Sequence, residues 1–462
     1  MIQPFLRAFA CVLAFVLFTG LLHAQTRSVR VVTYNIAADV NGKVALPGLI
    51  APPGDTNNYQ AGGVLEGIGE ETVNGSARPI DVLALEETTS NSQTVTPIVN
   101  ALNAFYGVPG MYSNSTYQAQ ESNNNPSTGN GPNALVYNAQ TLQLLASVPV
   151  DPSGGPSKLG STSGEYREVV RYEFAPAGVA VTASNVFYVY VSHYKASTGS
   201  QNAAYRFAEA QIIRTNEAID LPASARVLYV GDYNVTGGSA EAGYQTILSN
   251  TAPNGVTQGA GIDPMNPANN PNINWGASTT DTNILAMETE HSYDLEYRDD
   301  LQIMSTNVYY GAAGGLKYVP GTYHVFGNNG TTAYYGNVNN GSDTALAGKL
   351  VTNGPVFIPA AQLFLDLTNA SDHLPVVADY TIPLLVPNVT AVTRAGSNLV
   401  LSAGNCITNG LLTILTATNL AQPVTNWTAL ASNTVAGGTV TVTVTNAINA
   451  TGPGGYFILQ EK

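Results

Sequence analysis

Two short elements pair an acid with a nitrogen-bearing side chain at the end of an apolar run: Gly231-Asp232-Tyr233-Asn234 and Ser371-Asp372-His373. Asn35 in Val-Val-Thr-Tyr-Asn, Glu87 in Asp-Val-Leu-Ala-Leu-Glu-Glu and His193 in Val-Tyr-Val-Ser-His-Tyr-Lys end further apolar runs. Carboxylates, amides and imidazoles placed this way suit metal-assisted attack on a phosphate ester. That reaction needs a divalent cation to neutralise phosphoryl oxygens, a base or orienter for water, and donors for the developing charge. Glu87 is an oxygen ligand suited to hard Mg2+ or Mn2+, and no Cys-rich or clustered His spacing argues for structural zinc. Mg2+ is the first choice. Asp232 and Asn234, two apart across a Gly-led turn, share one site if Tyr233 points away. His373 beside Asp372 offers a cationic donor next to a metal ligand, and Asp300 can fix its tautomer. Each element has a plain structural alternative, such as a polar turn, a solvated strand end or a surface charge cluster in Arg298-Asp299-Asp300; their combination is what carries weight.

The elements that must position these residues are β-rich runs at 28–37, 80–86, 133–138, 167–174, 185–192, 225–231, 300–305 and 375–380. Tyr205, Ala208, Ile212 and Ile219 recur near helical spacing and predict a helix over 201–220 packed on a sheet. A second helix is expected over 92–106, capped by Ser90 or Asn91. Two long polar stretches, Asn250 to Glu290 and Tyr309 to Asn369, are expected to be loops that shape a substrate cleft. Past Tyr380 the composition changes, with Thr-Val alternation over 439–444. A boundary near Pro383 to Pro387 divides a catalytic domain at 27–382 from a small all-β sandwich at 388–462.

The first residues hold one cation, Arg7, then an apolar stretch from Ala8 to Leu22, shorter than the roughly 20 residues of a membrane-spanning helix. Residues 1–24 read as a cleavable secretory signal, so a secreted protein, extracellular or periplasmic, is expected, with no transmembrane anchor. Cleavage removes Arg7 and no acid and takes the formal charge from −14 to −15, which excludes general attraction to polyanions. Only 10% of residues are charged, so solubility rests on neutral hydrogen-bonding groups. Cys11 leaves with the signal, and Cys406 alone forms no internal disulfide. A monomer is expected.

In order and context the motifs resemble the endonuclease/exonuclease/phosphatase superfamily, which includes pancreatic-type deoxyribonucleases, abasic-site endonucleases, inositol polyphosphate phosphatases and bacterial sphingomyelinases. The matching segments are Thr33-Tyr34-Asn35, Leu85-Glu86-Glu87, Ser192-His193, Gly231-Asp232-Tyr233-Asn234, Arg298-Asp299-Asp300-Leu301 and Ser371-Asp372-His373, within residues 28–380. The resemblance implies an α/β (α+β) four-layer sandwich, two packed and mostly antiparallel β-sheets flanked by helices. It implies Asn35, Glu87 and Asp372 at the metal, and His193 and Asn234 on the phosphate. Asp232 would orient or deprotonate water, and His373, paired with Asp300, would donate to the phosphate or act as the base; which of the two removes the proton stays open. Tyr166-Arg167-Glu168-Val169-Val170 is similar to a middle strand of the family and makes Arg167 a phosphate contact. Where the family commonly has Gln before the metal-binding Glu, this chain has Glu86.

Three functions are open to such a chain. The first is a nuclease on extracellular DNA or RNA, with Lys195, Arg167, Arg171, Arg206 and Arg298 forming a local positive surface and Tyr106, Tyr112, Tyr117 and Tyr194 as stacking contacts. The second is a phosphodiesterase or phosphatase for lipid head groups (sphingomyelinase-like) or small phosphoesters, which suits the acidic balance. The third is a non-catalytic surface-binding protein whose C-terminal module touches glycan or envelope.

Overall fold

The computed structural model describes residues 26–38, 63–119, 131–150, 168–255, 258–265, 286–290, 295, 297–311, 315–330, 338, 343–350, 358–384, 387–406, 410–419, 421–436, 438–447 and 456–461. Residues 1–24 and Arg167 lie outside them. Among the described residues no helix is long and apolar enough to cross a membrane.

The first half alternates strands and helices in the order β1 (Thr26–Asn35), α1 (Val64–Glu70), β2 (Val82–Glu86), α2 (Thr96–Phe105), β3 (Tyr112–Asn114), β4 (Ala134–Asn138) and β5 (Leu142–Pro149). There follow β6 (Val170–Pro176), β7 (Phe187–His193), α3 (Ser200–Asp220), β8 (Val227–Asp232), α4 (Ala242–Leu248) and β9 (Gly261–Ile262). The main sheets are completed by β10 (Asp300–Ser305), α5 (Thr306–Tyr310), β11 (Lys317–Tyr318), β12 (His324–Val325), α6 (Ala360–Ala370) and β13 (Val376–Pro383). One sheet runs β11-β13-β1-β2-β4-β3 with β12 also on β13, and the other runs β5-β6-β7-β8-β10-β9. Both are antiparallel except for one parallel pair each, β1 with β2 and β7 with β8.

The strands are apolar on both faces because each sheet is covered twice. Gln302, fully buried, spans the sheets through Nε2, which donates to the carbonyls of Val31 and Val376 at 2.9 and 2.6 Å. On the outer side of the first sheet lie Val64, Leu65 and Ile68 of α1, Ile98 and Leu102 of α2, and Leu363 and Leu367 of α6. On the second, Ala210 and Ile213 of α3 and Tyr244 and Ile247 of α4 meet Tyr190, Tyr229 and Ile303. The molecule is therefore a helix-sheet-sheet-helix sandwich, the four-layer architecture that the resemblance implied.

The second predicted helix begins as a π turn, Asn91–Val95, capped by Ser90, whose hydroxyl accepts the N–H of Gln93, and continues as α2. Helix α3 lies where the periodicity placed it, but it buries another face. Ile219 is 66% exposed, whereas Arg206, Glu209, Ala210, Ile213, Arg214, Asn216 and Glu217 are buried. Paired charges line its inner ridge, so apolar spacing could not find it. The stretch from Tyr309 to Asn369 is not one long loop: it holds β11, β12 and α6, whose Leu363, Phe364, Leu367 and Ala370 make an apolar stripe.

After Pro383 come β14 (Asn388–Ala395), β15 (Asn398–Gly404), β16 (Leu411–Ala417), β17 (Thr428–Thr434), β18 (Val440–Val444) and β19 (Tyr456–Glu461). They form two three-stranded antiparallel sheets, β14-β15-β18 and β17-β16-β19, over a core of Leu401, Leu412, Ile414, Val440, Val442 and Val444. The Thr-Val alternation is β18, with each Val buried and each Thr exposed.

Candidate active site

Topology brings the chemical residues to one edge. The parallel pairs β1/β2 and β7/β8 end there, carrying Asn35, Glu86, His193 and Asp232 at their last positions. Strand β10 starts there because it runs antiparallel to β8, with Asp300 opposite Asp232. Strand β13 runs antiparallel to β1 and follows Ser371-Asp372-His373 directly. Four strand ends and two strand starts thus meet above the seam between the sheets, where loops rather than ladder partners surround them.

Gly231 permits the closest approach in this edge. Its φ is 139°, and a Cβ there would lie 1.9 Å from the carbonyl oxygen of Ser192. Only glycine lets β7 and β8 set His193 directly beside Asp232 in register. Beyond the strands, Glu87 (φ 54°) and Asn234 (φ 47°) take left-handed backbone conformations. The Asn tolerates this; for Glu it is strained and must be held by its surroundings. Its carbonyl accepts the Ala38 N–H at 2.9 Å.

Asp232 is the hub. Its Oδ2 accepts Asn35 Nδ2 at 3.0 Å, across the two sheets, and lies 3.3 Å from His193 Nε2 and 4.0 Å from His373 Nε2. Its Oδ1 accepts the backbone N–H and Nδ2 of Asn234 at 2.9 and 2.8 Å. His193 Nε2 is also 3.6 Å from Glu87 Oε1. On the far side, His373 Nδ1 pairs with Asp300 Oδ2 at 2.7 Å, which directs Nε2 toward Asp232. The hydroxyl of Ser371 donates to the Asn35 carbonyl at 2.7 Å and accepts the His373 N–H at 3.1 Å, tying β13 to β1.

Charge is crowded here. Burial alone would lower the His373 imidazole, but Asp300, then Asp232 and Asp372, raise it well above its ordinary value. Burial, with Asp300 and Asp232, pushes Glu86 well above the carboxylate range while Thr33 Oγ1 donates to its Oε1 at 3.0 Å. Asp299 is raised too, by burial and then by Asp232 and Glu290. Such a crowd of acids is what a divalent cation would neutralise. Two groups among the described residues have ligand atoms all within 4.8 Å of one another: Glu87, His193 and Asp232, and Asp232, Asp300 and His373.

The predicted residues Asn35, Glu87, His193, Asp232, Asn234, Asp300 and His373 therefore meet at one place. Asp372 is exposed, in neither group, and within 3.5 Å of the Ser371 hydroxyl. Thr289 was not singled out from the sequence. Its hydroxyl accepts the N–H groups of Asp299 and Asp300 at 3.1 Å each, and its carbonyl accepts that of Leu374 at 2.7 Å. It lies in a polar run with no periodic signal, so only the fold reveals it.

Among the described residues the expected positive surface does not form. Arg298 is buried against Asp263 with 2.7 and 2.9 Å contacts, Arg171 pairs with Asn216 and Asp220, and Arg206 with Glu241. Lys195 is half-buried. Tyr112 and Tyr194 are buried as well, Tyr194 packed at a tilt against Tyr233 with ring centroids 4.6 Å apart, which removes them as base-stacking platforms.

No family model and no curated protein matches the chain. Among solved structures it is similar to an endonuclease/exonuclease/phosphatase from Bacteroides vulgatus, at 16% identity and TM-score 0.39, over 77% of this chain and 99% of that one. The chain is similar in structure to endonuclease/exonuclease/phosphatase proteins. A protein of that description from Beutenbergia cavernae matches over 94% of this chain and 100% of its own, at 14% identity and TM-score 0.39. The human Nocturnin catalytic domain with bound sulfate matches over 77% and 96%, at 16% identity and TM-score 0.40. What the site does is argued from its own geometry.

Proposed function

We propose that this chain is a divalent-metal-dependent phosphoric ester hydrolase, a phosphodiesterase of the nuclease type. The observation that supports it is the Asp232 carboxylate, held from two sides by the amides of Asn35 and Asn234 and faced by both His193 and His373. No neutral-substrate binding site needs such a concentration of acid and imidazole at one buried edge.

Glu87 and Asn35, with Asp372 from the rim, would hold Mg2+ or Mn2+, whose bound charge neutralises phosphoryl oxygens. Asp232 orients water and takes its proton, helped by the two amide contacts that fix its rotamer. His193 and Asn234 donate to the phosphate, with Arg167 as a further phosphate contact on this reading, and His373, kept cationic by Asp300, stabilises the charge that develops. The Asp232 and His373 pair shares the proton work, the carboxylate as acceptor and the imidazolium as donor.

Nucleic acid is the first substrate class. A second reading, a small or lipid-linked phosphoester, is favoured by the burial of Arg171, Arg206 and Arg298 in ion pairs, which removes the cations a polyanion track would use. On either reading residues 1–24 export the protein, 27–382 carry catalysis, and 388–462 form a separate module for contact with glycan or envelope. Purified mature chain assayed with Mg2+ and with chelator on plasmid DNA, RNA, a sphingomyelin dispersion and a phosphomonoester, beside Asp232→Ala, tests the proposal. Metal-dependent cleavage lost in the mutant supports it, and the substrate cleaved selects between the readings. Silence on all four, or full activity in excess chelator, would sink it.

A further inference from the structure

Helix α3 carries two fully buried arginines eight positions apart, and they fasten different things. Arg206 uses all five of its N–H donors. Nε and Nη2 grip Glu241 at 2.5 and 3.0 Å, Nη2 also reaches the Thr236 hydroxyl at 2.9 Å, and Nη1 reaches the carbonyls of Lys195 and Ser197 at 2.7 and 2.9 Å. The two segments gripped are continuations of the site strands. Lys195 is two residues past His193, and Thr236 is two past Asn234.

Both segments leave the sheets in uncommon backbone conformations. Ser197 and Asn234 have φ of 75° and 47°, and neither segment is in a sheet ladder. Near the site they are joined by the Tyr194 N–H donating to the Asp232 carbonyl at 2.8 Å and, at 3.3 Å, by Asn234 Nδ2 donating to the Tyr194 carbonyl. Farther out, Glu241 Oε2 also accepts the Gly237 N–H at 2.8 Å, and Glu209 Oε2 accepts the Lys195 N–H at 3.1 Å. We infer that Arg206, with Glu241, is a positioning residue for the hydrolysis: its guanidinium clamps the His193 and Asn234 segments against one another and so sets the side chains that face the phosphate. The inference rests on the proposed hydrolase reading for its kinetic consequence, but not for the clamp.

Arg214 gives the matched control. It is equally buried, but it holds the carbonyls of Thr246, Ile247, Ser249 and Gln258 and pairs with Glu217, none of which belongs to the His193 or Asn234 segment. A lysine at either position keeps a charge but offers three donors and no planar fork, so both exchanges lose bonds of the same kind.

The test compares Arg206→Lys, Glu241→Gln and Arg214→Lys in the full mature chain, with bis(4-nitrophenyl) phosphate and Mn2+ as the kinetic probe and the ring resonances of 13C-labelled histidines as a readout independent of turnover. Arg206→Lys should lower kcat by roughly 10- to 100-fold with KM within about twofold. Glu241→Gln should lower it several-fold. Both should move the His193 ring signals, and millimolar guanidinium should restore part of the kcat of Arg206→Ala. Arg214→Lys should lose thermal stability yet keep kcat and the His193 signals. Wild-type kcat and unmoved His193 signals in folded Arg206→Lys and Glu241→Gln would overturn the clamp, as would an Arg214→Lys that loses kcat equally. If wild type hydrolyses nothing, the hydrolase reading fails, and the histidine signals alone decide the clamp. Should Arg206→Ala not fold, the lysine and Glu241→Gln variants carry the decision.

Discussion

The two sandwiches in this chain are built from opposite materials. Among the described residues from 388 onward every buried side chain belongs to an apolar residue or to Cys406. In the large sandwich, Arg30, Arg206, Arg214, Glu66, Glu86, Asp232, Asp263, Asp300 and Asp366 all lie at 2% exposure or less. Burying a charge costs several kcal/mol unless it is well paired, and even a paired one gains little over an apolar substitute. The C-terminal sheets show that this kind of sequence can close a core without charges. Where the large sandwich carries them, two explanations separate. Arg30 with Asp379 and Arg298 with Asp263 are compensated pairs, whereas Glu86, Asp232, Asp299 and Asp300 crowd one edge with imidazoles as their cationic company. Crowding of that sort is destabilising, and it sits at the edge where six motifs meet.

The sharpest way to break this contrast is to remove the hub. Asp232→Asn keeps shape and most hydrogen bonds but deletes the charge, and hydrolysis should fall by about 10³-fold or more. The same change relieves the repulsion on Asp299 and Glu86, so the metal-free mutant should melt at or above the wild-type temperature. A clearly lower melting point with retained turnover would mean that the carboxylate is structural. Asp300→Asn should act less strongly, by about 10²-fold, because it removes the partner of His373 rather than the hub. Since Asp300 raises the imidazole, its loss should let His373 deprotonate at lower pH, which histidine NMR titration reads directly.

Most of the edge was legible because Asn35, Glu87, His193 and Asp232 close apolar runs, while Asp300 and His373 stand just before one. Strand ends are where such a run meets polar residues, and β1, β2, β7, β8, β10 and β13 all fall within a few residues of their expected places. The ladder partners of these strands were not legible, yet the convergence follows once β10 and β13 are antiparallel to β8 and β1. What failed was charge. Arg171, Arg206 and Arg298 read as surface cations because their partners Asp220, Glu241 and Asp263 lie 49, 35 and 35 residues away, a separation at which no local pattern pairs them. The α3 face was misjudged for the same reason: its inner ridge is made of arginines and glutamates that only the fold neutralises. The missed α6 is different, since Leu363, Phe364, Leu367 and Ala370 do carry helical spacing inside an otherwise polar stretch.

A gentler test asks whether proton uptake separates the two sandwiches. Burial raises Glu70 to about 7, Asp81 to about 6 and Asp366 to about 6. Each then holds, when folded, a proton that the unfolded chain releases near pH 4. The folded state binds more protons between about pH 4 and 7, so stability is greatest at the acid end of that window and falls as pH rises, by about 1.4 kcal/mol per group for each pH unit. His373, also raised, adds in the same direction above its ordinary value. Glu71 and Asp263 are lowered, by His324 and by Arg298 acting against burial, and so do not add to this fall. Calorimetry at pH 5.5 and 7.5 should find the melting of the 26–383 portion about 5 °C or more higher at pH 5.5. An isolated 388–462 fragment should melt at nearly the same temperature at both. The reciprocal truncation after Pro383 should keep the pH response and leave kcat on a soluble phosphodiester within about twofold, the smallest effect of the set. A truncation that folds but loses turnover would join the sandwiches functionally and end the contrast between them.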